Sequence, residues 1–138
     1  MTIKRVRAAI EARVKTWAAA NSLHVAWQGV GFKPTVGTTY IRLALIPGET
    51  GNPIMGTGHR RLTGVAQIDV VAPDGVGMGP AEALAESLCA EFKRGVTLTN
   101  GGLQIIMDTS PTIARPLIEN GWLWLPVWVP YRADDFNP

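Results

Sequence analysis

Toward the end of the sequence, Trp122, Trp124 and Trp128 alternate with Leu123, Leu125, Val127 and Val129. A period of two sends successive side chains to opposite faces of a strand, and here both rows are apolar. Such a strand does not suit a sheet with one wet face, because each face needs a cover. That requirement constrains the fold more than any other feature. Pro126 and Pro130 interrupt the same run, and a proline has no N–H to give to a ladder. The sequence therefore predicts a strand over residues 122–131 at a sheet edge or on a bulge, entered from an Asn120-Gly121 turn. One row would pack inside the chain. The other would be covered by another subunit, by a long loop, or by the curl of the sheet. The pattern leaves open which row is which.

Two segments can cover one face. Ile3, Val6, Ile10, Val14 and Trp17 recur at helical spacing and predict a helix over residues 2–20, ended by Asn21-Ser22. Lys4, Arg5, Glu11 and Lys15 fall mostly off that stripe and read as a cationic, solvated face. The second helix begins at Pro80, with Ala81, Leu84, Ala85, Leu88, Cys89 and Phe92 as its stripe. Glu82 and Glu86 stand toward its start, Lys93 and Arg94 at its end, and Gly95 stops it, an order that complements the helix dipole. Cys89 lies inside the stripe and reads as a packed small residue rather than a nucleophile.

Alternation also marks a short strand over 23–28, a cleaner one over 38–46 closed by Pro47, and a third over 62–72. The last two can pair as an antiparallel hairpin with their apolar sets on one side, leaving Arg42, Gln67 and Asp69 on the polar side. Residues 96–99 and 103–108, joined by Asn100-Gly101-Gly102, form a second hairpin. The expected class is α+β: a two-layer sandwich with a mostly antiparallel sheet of about four to six strands and two helices on one face. All of residues 1–138 form one domain in this reading.

Between the paired strands lies a long loop, residues 47–61, with Gly48, Gly51, Pro53, Gly56 and Gly58 and no periodicity. Long loops in compact domains are usually functional or disordered. This one carries an exposed-looking apolar tip, Ile54 and Met55, and runs into His59, Arg60 and Arg61. It reads as a segment that takes its order from outside contacts. The tail, residues 133–138, is short and acidic.

Little else points to chemistry. Hydrophobic residues make up 46% of the chain and charged ones 17%, and a net charge of +2 is too small to argue for nucleic acid. The most apolar run, 122–129, is broken by a proline and far short of the about 20 residues a membrane span needs. The basic start (Lys4, Arg5, Arg7) is followed by Glu11, Arg13 and Lys15, which interrupt the apolar core of an export signal. A single cysteine gives no internal disulfide and suits a reducing compartment. His24, read as a half-buried strand residue, His59, read as a loop residue, and Cys89 have no metal-site spacing. Ser22, Ser87 and Ser110 lie in no nucleophile elbow. Asp134-Asp135 fall in a tail where no scaffold fixes their separation. Gly75-Val76-Gly77-Met78-Gly79 follows a strand and opens a helix, but the G-x-G-x-x-G pattern fails at Pro80. It reads as a flexible connection, with a small nucleotide-binding domain as the alternative of a different class. No basic residue separates the tryptophans, which argues against a nucleic-acid stacking platform.

The stretch Gly64-Val65-Ala66-Gln67-Ile68-Asp69-Val70, then Pro73-Asp74-Gly75-Val76-Gly77, runs into the helix ending at Gly95; Gly121-Trp122-Leu123-Trp124-Leu125-Pro126-Val127 follows later and ends in Tyr131. In that order, these elements resemble the tail terminator-like proteins of tailed bacteriophages, minor tail proteins that cap the tail tube. The resemblance covers most of the chain and implies structural work without catalysis or cofactors. Family members stop tube growth by forming a ring, commonly of about six subunits, on the last turn of the tube. The implied partners are further copies of the chain, the tail tube protein and the head–tail connector protein. DNA only passes through the lumen, and no membrane is involved. The implied location is the virion tail, assembled in the bacterial host cytoplasm. In that setting Ile54, Met55, His59, Arg60 and Arg61 are the candidate subunit or tube interface, and Arg42, Gln67 and Asp69 the candidate lumen face. Another neck or tail component, such as a head–tail joining or tube protein, is the neighbouring alternative.

Overall fold

The apolar period over residues 2–20 does form a helix, α1 (Thr2–Ala20), in a computed structural model that describes residues 2–56 and 58–136. Val6, Ile10, Val14 and Trp17 are buried, and Ile3 packs against them. Ser22 stops the helix by taking a left-handed conformation, φ 55°. Leu23 N–H then reaches Ala18 O at 2.8 Å and Ser22 N–H reaches Ala19 O at 3.2 Å. This is the Schellman pattern, which satisfies carbonyls that a helix end would otherwise leave bare. The second helix, α2 (Gly79–Glu91), buries Ala81, Ala85 and Leu88, followed by Phe92, and Gly95 turns the chain away at φ 95°. Two side chains lock the helices together. Trp17 Nε1–H donates to Ser87 Oγ at 2.9 Å, and Arg13 Nε–H to the Glu91 carbonyl at 2.8 Å.

The strands are β1 (His24–Ala26), β2 (Tyr40–Gly51), β3 (Arg60–Pro73), β4 (Thr97–Asn100), β5 (Leu103–Ile106), β6 (Thr112–Ile113), β7 (Leu117–Glu119) and β8 (Trp122–Asp135). They form one sheet in the order β1-β2-β3-β8-β5-β4, with β6 and β7 also paired to β8. The α+β class stands, but the sheet is larger than the four to six strands expected: eight strands among the described residues. It is also mixed, because β1 runs parallel to β2. The extra members, β6 and β7, have two and three residues. They are too short and too exposed to show an alternation. Asn120 (φ 52°) and Gly121 (φ 80°) form the tight turn that folds β7 back on β8.

Ile41, Leu43 and Leu45 of β2 and Ala66, Ile68 and Val70 of β3 share one core with both helices. The Leu/Val row of β8 faces that core, from Leu123 through Val129 to Tyr131 and Ala133. The tryptophan row therefore lies on the far face. There the chain covers part of it: Phe32, from the segment before β2, lies 4.9 Å from the Tyr40 ring, and Tyr40 stands edge-on to Trp122 at 5.5 Å. Trp128 remains 46% exposed.

The expected edge position of the last strand is wrong: β8 lies between β3 on one side and β5, β6 and β7 on the other. Its prolines explain how it can. Pro126 O accepts from Ala114 N–H at 2.8 Å, so the Pro126 nitrogen, on the same flank as its own carbonyl, faces β6 and β7 rather than β3. On that flank β7 pairs up to Trp124 and β6 begins at Val127. Pro130, four residues on, falls between Trp128, which pairs with β6, and Arg132, which pairs with β5. Each missing donor thus sits at a break between short neighbours, and the ladder to β3 loses nothing.

Pro47 does not end β2 either. The register moves from Pro47↔Gly64 to Thr50↔Leu62, one extra residue on β2, which is a β-bulge. Beyond it β2 continues to Gly51, and β3 begins at Arg60. The expected loop of 47–61 shrinks to the connection 52–59, of which Thr57 lies outside the described residues. The expected tail is likewise strand through Asp135; Asn137 and Pro138 lie outside the described residues.

Gly64 sits opposite Tyr131 in the β3–β8 register. A Cβ placed on it would stand 2.6 Å from the Ile46 carbonyl oxygen and would overlap the Tyr131 hydroxyl. Only a bare backbone lets that buried ring lie across the strand. Gly64→Ala should lower unfolding free energy by about 1–3 kcal/mol in urea titrations. Adding Tyr131→Phe should recover only part of the loss, because the backbone contact with Ile46 remains.

Candidate functional site

The β2–β3 hairpin is built in two chemically distinct parts. At its tip Ile54 is 51% and Met55 99% exposed. At its base the chain is charged and largely turned inward. Arg61 pairs with Asp134 and Arg60 with Asp135 in the ladder to β8. Asp134 Oδ1 accepts from Arg61 Nε at 2.8 Å and from His59 Nε2 at 2.9 Å, and its Oδ2 accepts from Arg132 Nε at 3.2 Å. Arg60 reaches Asp135 Oδ2 at 3.2 Å, and Arg132 lies 3.6 Å from Asp108. His59 is 7% exposed and stacks on Phe136 with ring centroids 4.4 Å apart.

Two expectations change here. Asp134 and Asp135 are not in a loose tail; strand β8 carries them opposite β3, and the cations there fix them. His59 is a loop residue as expected, in the 52–59 connection, but a buried one, held by a carboxylate and a ring. The five residues expected to form a contact thus divide. Ile54 and Met55 face outward, while His59, Arg60 and Arg61 pair within the chain. The acidic pair did carry a signal, since alternation in β8 runs on through Ala133 to charges that match Arg60 and Arg61 in reverse order.

Burial pushes the Asp134 carboxyl up, but the hydrogen bonds from Arg61 and His59 and the charges of Arg61 and Arg132 outweigh it, so its pKa lies below the ordinary value. Asp69 behaves in the opposite way.

Asp69, Gln67 and Arg42 share the face away from the helices, as expected. Arg42 is the register partner of Asp69 across β2–β3, and Gln67 Nε2–H donates to Asp69 Oδ1 at 3.1 Å. Arg42 is exposed, Gln67 half-buried and Asp69 only 8% exposed. The Arg42 guanidinium lies 5.3 Å from the centre of the Trp124 ring, within cation–π range. Trp124, absent from the expected set, is what orients it. Burial raises the Asp69 pKa, and the Gln67 hydrogen bond and Arg42 charge offset this only in part.

The remaining candidates assemble no reacting centre. His24 is exposed on β1 rather than half-buried. Ser87 is engaged by Trp17, and Ser22 caps α1. Burial and the nearby charge of Glu86 push the Cys89 thiol up, away from the thiolate. In the 75–79 turn, Gly75 N–H is taken by the Asp74 carboxylate at 2.8 Å. That places a negative charge where a phosphate would need a donor. Among the described residues, no group of three or more His, Cys, Asp or Glu side chains could hold a metal, and no helix is long and apolar enough to cross a membrane.

The hairpin therefore presents an exposed apolar tip on a base of paired charges. The chain belongs to the phage tail terminator protein family, whose sequence pattern matches residues 5–131. A solved structure at 32% sequence identity superposes with a TM-score of 0.82, over 100% of this chain and 99% of the other. A chain in the virion of a native gene transfer agent particle shares the fold at 18% identity, with a TM-score of 0.69 over 96% of this chain and 97% of its own. No curated protein sequence matches.

The two aspartates predict opposite pH behaviour. Asp134 has a lowered pKa in the folded state, so its contribution is present above the unfolded value of about 4 and is lost as pH falls through the folded value. Asp69 has a raised one, so stability is greatest below about 4 and declines as pH rises through the folded value. Urea midpoints from pH 3 to 7 should show Asp134→Asn losing most against the parent at neutral pH. Asp69→Asn should gain on the parent over the same rise.

Proposed function

We propose that this protein ends tail-tube polymerisation by closing as a ring, with six subunits as the family's common number, on the last turn of the tube. The ring then joins tail to head. The partners are further copies of the chain, the tail tube protein and the head–tail connector protein. Its place is the virion tail, assembled in the host cytoplasm. Residues 1–138 act as one domain, without cofactor or catalysis.

The observation that carries the reading is the hairpin of a chain in the tail terminator family: an exposed apolar pair, Ile54 and Met55, above a base whose charges are matched. Exposed apolar groups on a fixed scaffold suit docking better than they suit solvent. Arg42, Gln67 and Asp69 are assigned to the lumen wall. Their face carries no helix, and the exposed guanidinium of Arg42 offers DNA a polar surface without a dense basic patch.

A double variant, Ile54→Ser and Met55→Ser, tests this. Because both side chains are exposed, unfolding free energy should stay within about 0.5 kcal/mol of the parent. Tails assembled with the variant should be overlong or headless in electron micrographs. Normal virions would refute the assignment. A collapse in stability would mean that the tip is core.

A further inference from the structure

We infer that Asp134 is the positioning residue of the docking hairpin: one carboxylate at the end of β8 fixes the direction in which Ile54 and Met55 point. The inference rests on the reading of that tip as a contact, and goes beyond it by naming what holds the contact in place.

The geometry is asymmetric. On the β2 side of the hairpin base, residues 46–51 are all exposed, and β1 pairs only with Tyr40 to Arg42. Among the described residues, no neighbouring strand supports that side. On the β3 side the support is β8, where Arg60 pairs with Asp135 and the contacts of His59 and Arg61 meet on Asp134. Its Oδ1 takes hydrogen bonds from His59 and Arg61, residues on the descending arm of the hairpin, while its Oδ2 takes one from Arg132 on its own strand. Arg132 extends the chain of charges to Asp108, just past β5. Phe136 closes over the His59 ring from the other direction. His59 is thus held by a hydrogen bond and a stacked ring at the point where the tip rejoins the ladder. Asp134 is 8% exposed, so the acceptor end of these charge-assisted bonds is shielded from water. Remove the carboxylate, and His59 and Arg61 lose their shared acceptor while the rest of the sheet keeps its core.

The test compares Asp134→Ala and the milder Asp134→Asn with Asp108→Asn, which removes a charge from the same network without touching the hairpin. Amide hydrogen exchange in the purified chain is read over residues 52–62, with α1 and α2, which are not paired with the end of β8, as internal references. Both Asp134 variants should speed exchange over 52–62, by about tenfold or more for Asp134→Ala, and leave the references unchanged. Asp108→Asn should leave all three regions unchanged. Unchanged exchange over 52–62 in both Asp134 variants would overturn the inference. So would acceleration of all regions together, in the milder variant as well, since Asp134 would then be part of the global fold. Tail length is scored separately. Local acceleration with overlong tails supports both the positioning role and the contact; local acceleration with normal tails keeps the positioning role and rejects the contact.

Discussion

The antiparallel ladder between β3 and β8 organises the rest of the molecule. It runs without a break from Pro73↔Trp122 to Arg60↔Asp135. At one end its helix-facing side chains, Val70 and Ala72 with Leu123 and Leu125, join the core beneath the two helices. At the other end the same two strands leave the apolar core and continue as a charged pair. A pairing this long places the hairpin connection at a fixed distance from the body, because a one-residue slip would move every buried side chain to the wrong face. The tip is therefore positioned by the core, through a continuous strand, and its final orientation by the ionic contacts where the ladder ends.

Much of this was legible in the sequence, because period and punctuation are local signals. The stripes of α1 and α2, the pairing of β2 with β3 and the Gly-Gly hairpin all follow from residues within one element or its neighbour. The misreadings arose where the meaning of a residue depends on its partner. Pro126 and Pro130 indicate an edge only if both flanks of the strand carry continuous neighbours; here one flank is made of three short strands with gaps. Pro47 indicates a strand end unless a bulge absorbs it. Asp134 and Asp135 look like a solvated tail until β3 is seen to bring Arg61 and Arg60 opposite them. The reversed order of the charges hints at that register, but no local period fixes it. β6 and β7 were invisible because two or three exposed residues show no period.

Charge is distributed in a way that separates holding from contacting. Along β3 and β8 the basic and acidic side chains lie at the base of the hairpin and satisfy one another. The large hydrophobic side chains at its tip, Ile54 and Met55, point outward. On the opposite end of the helix-free face, a tryptophan ring under Arg42 plays a comparable role, holding a cation in place above an aspartate that burial makes reluctant to ionise. In both places an exposed group is held by a partner less exposed than itself.

The small size of the tip bears on how a ring would close. Burying two side chains such as Ile54 and Met55 is worth about 1.5–3 kcal/mol each. Bringing two free proteins together costs about 4–15 kcal/mol before any contact is gained. One tip alone is thus too weak to hold two isolated subunits together. On a tube end the situation differs, because several identical sites are presented at fixed spacing. Each subunit that docks then raises the effective concentration of sites for its neighbours' lateral contacts. A weak apolar tip on a firmly held base suits that arrangement. Under the proposed function, it would disfavour rings in free solution and allow them where a tube end supplies a template, which would tie assembly of the cap to the presence of something to cap.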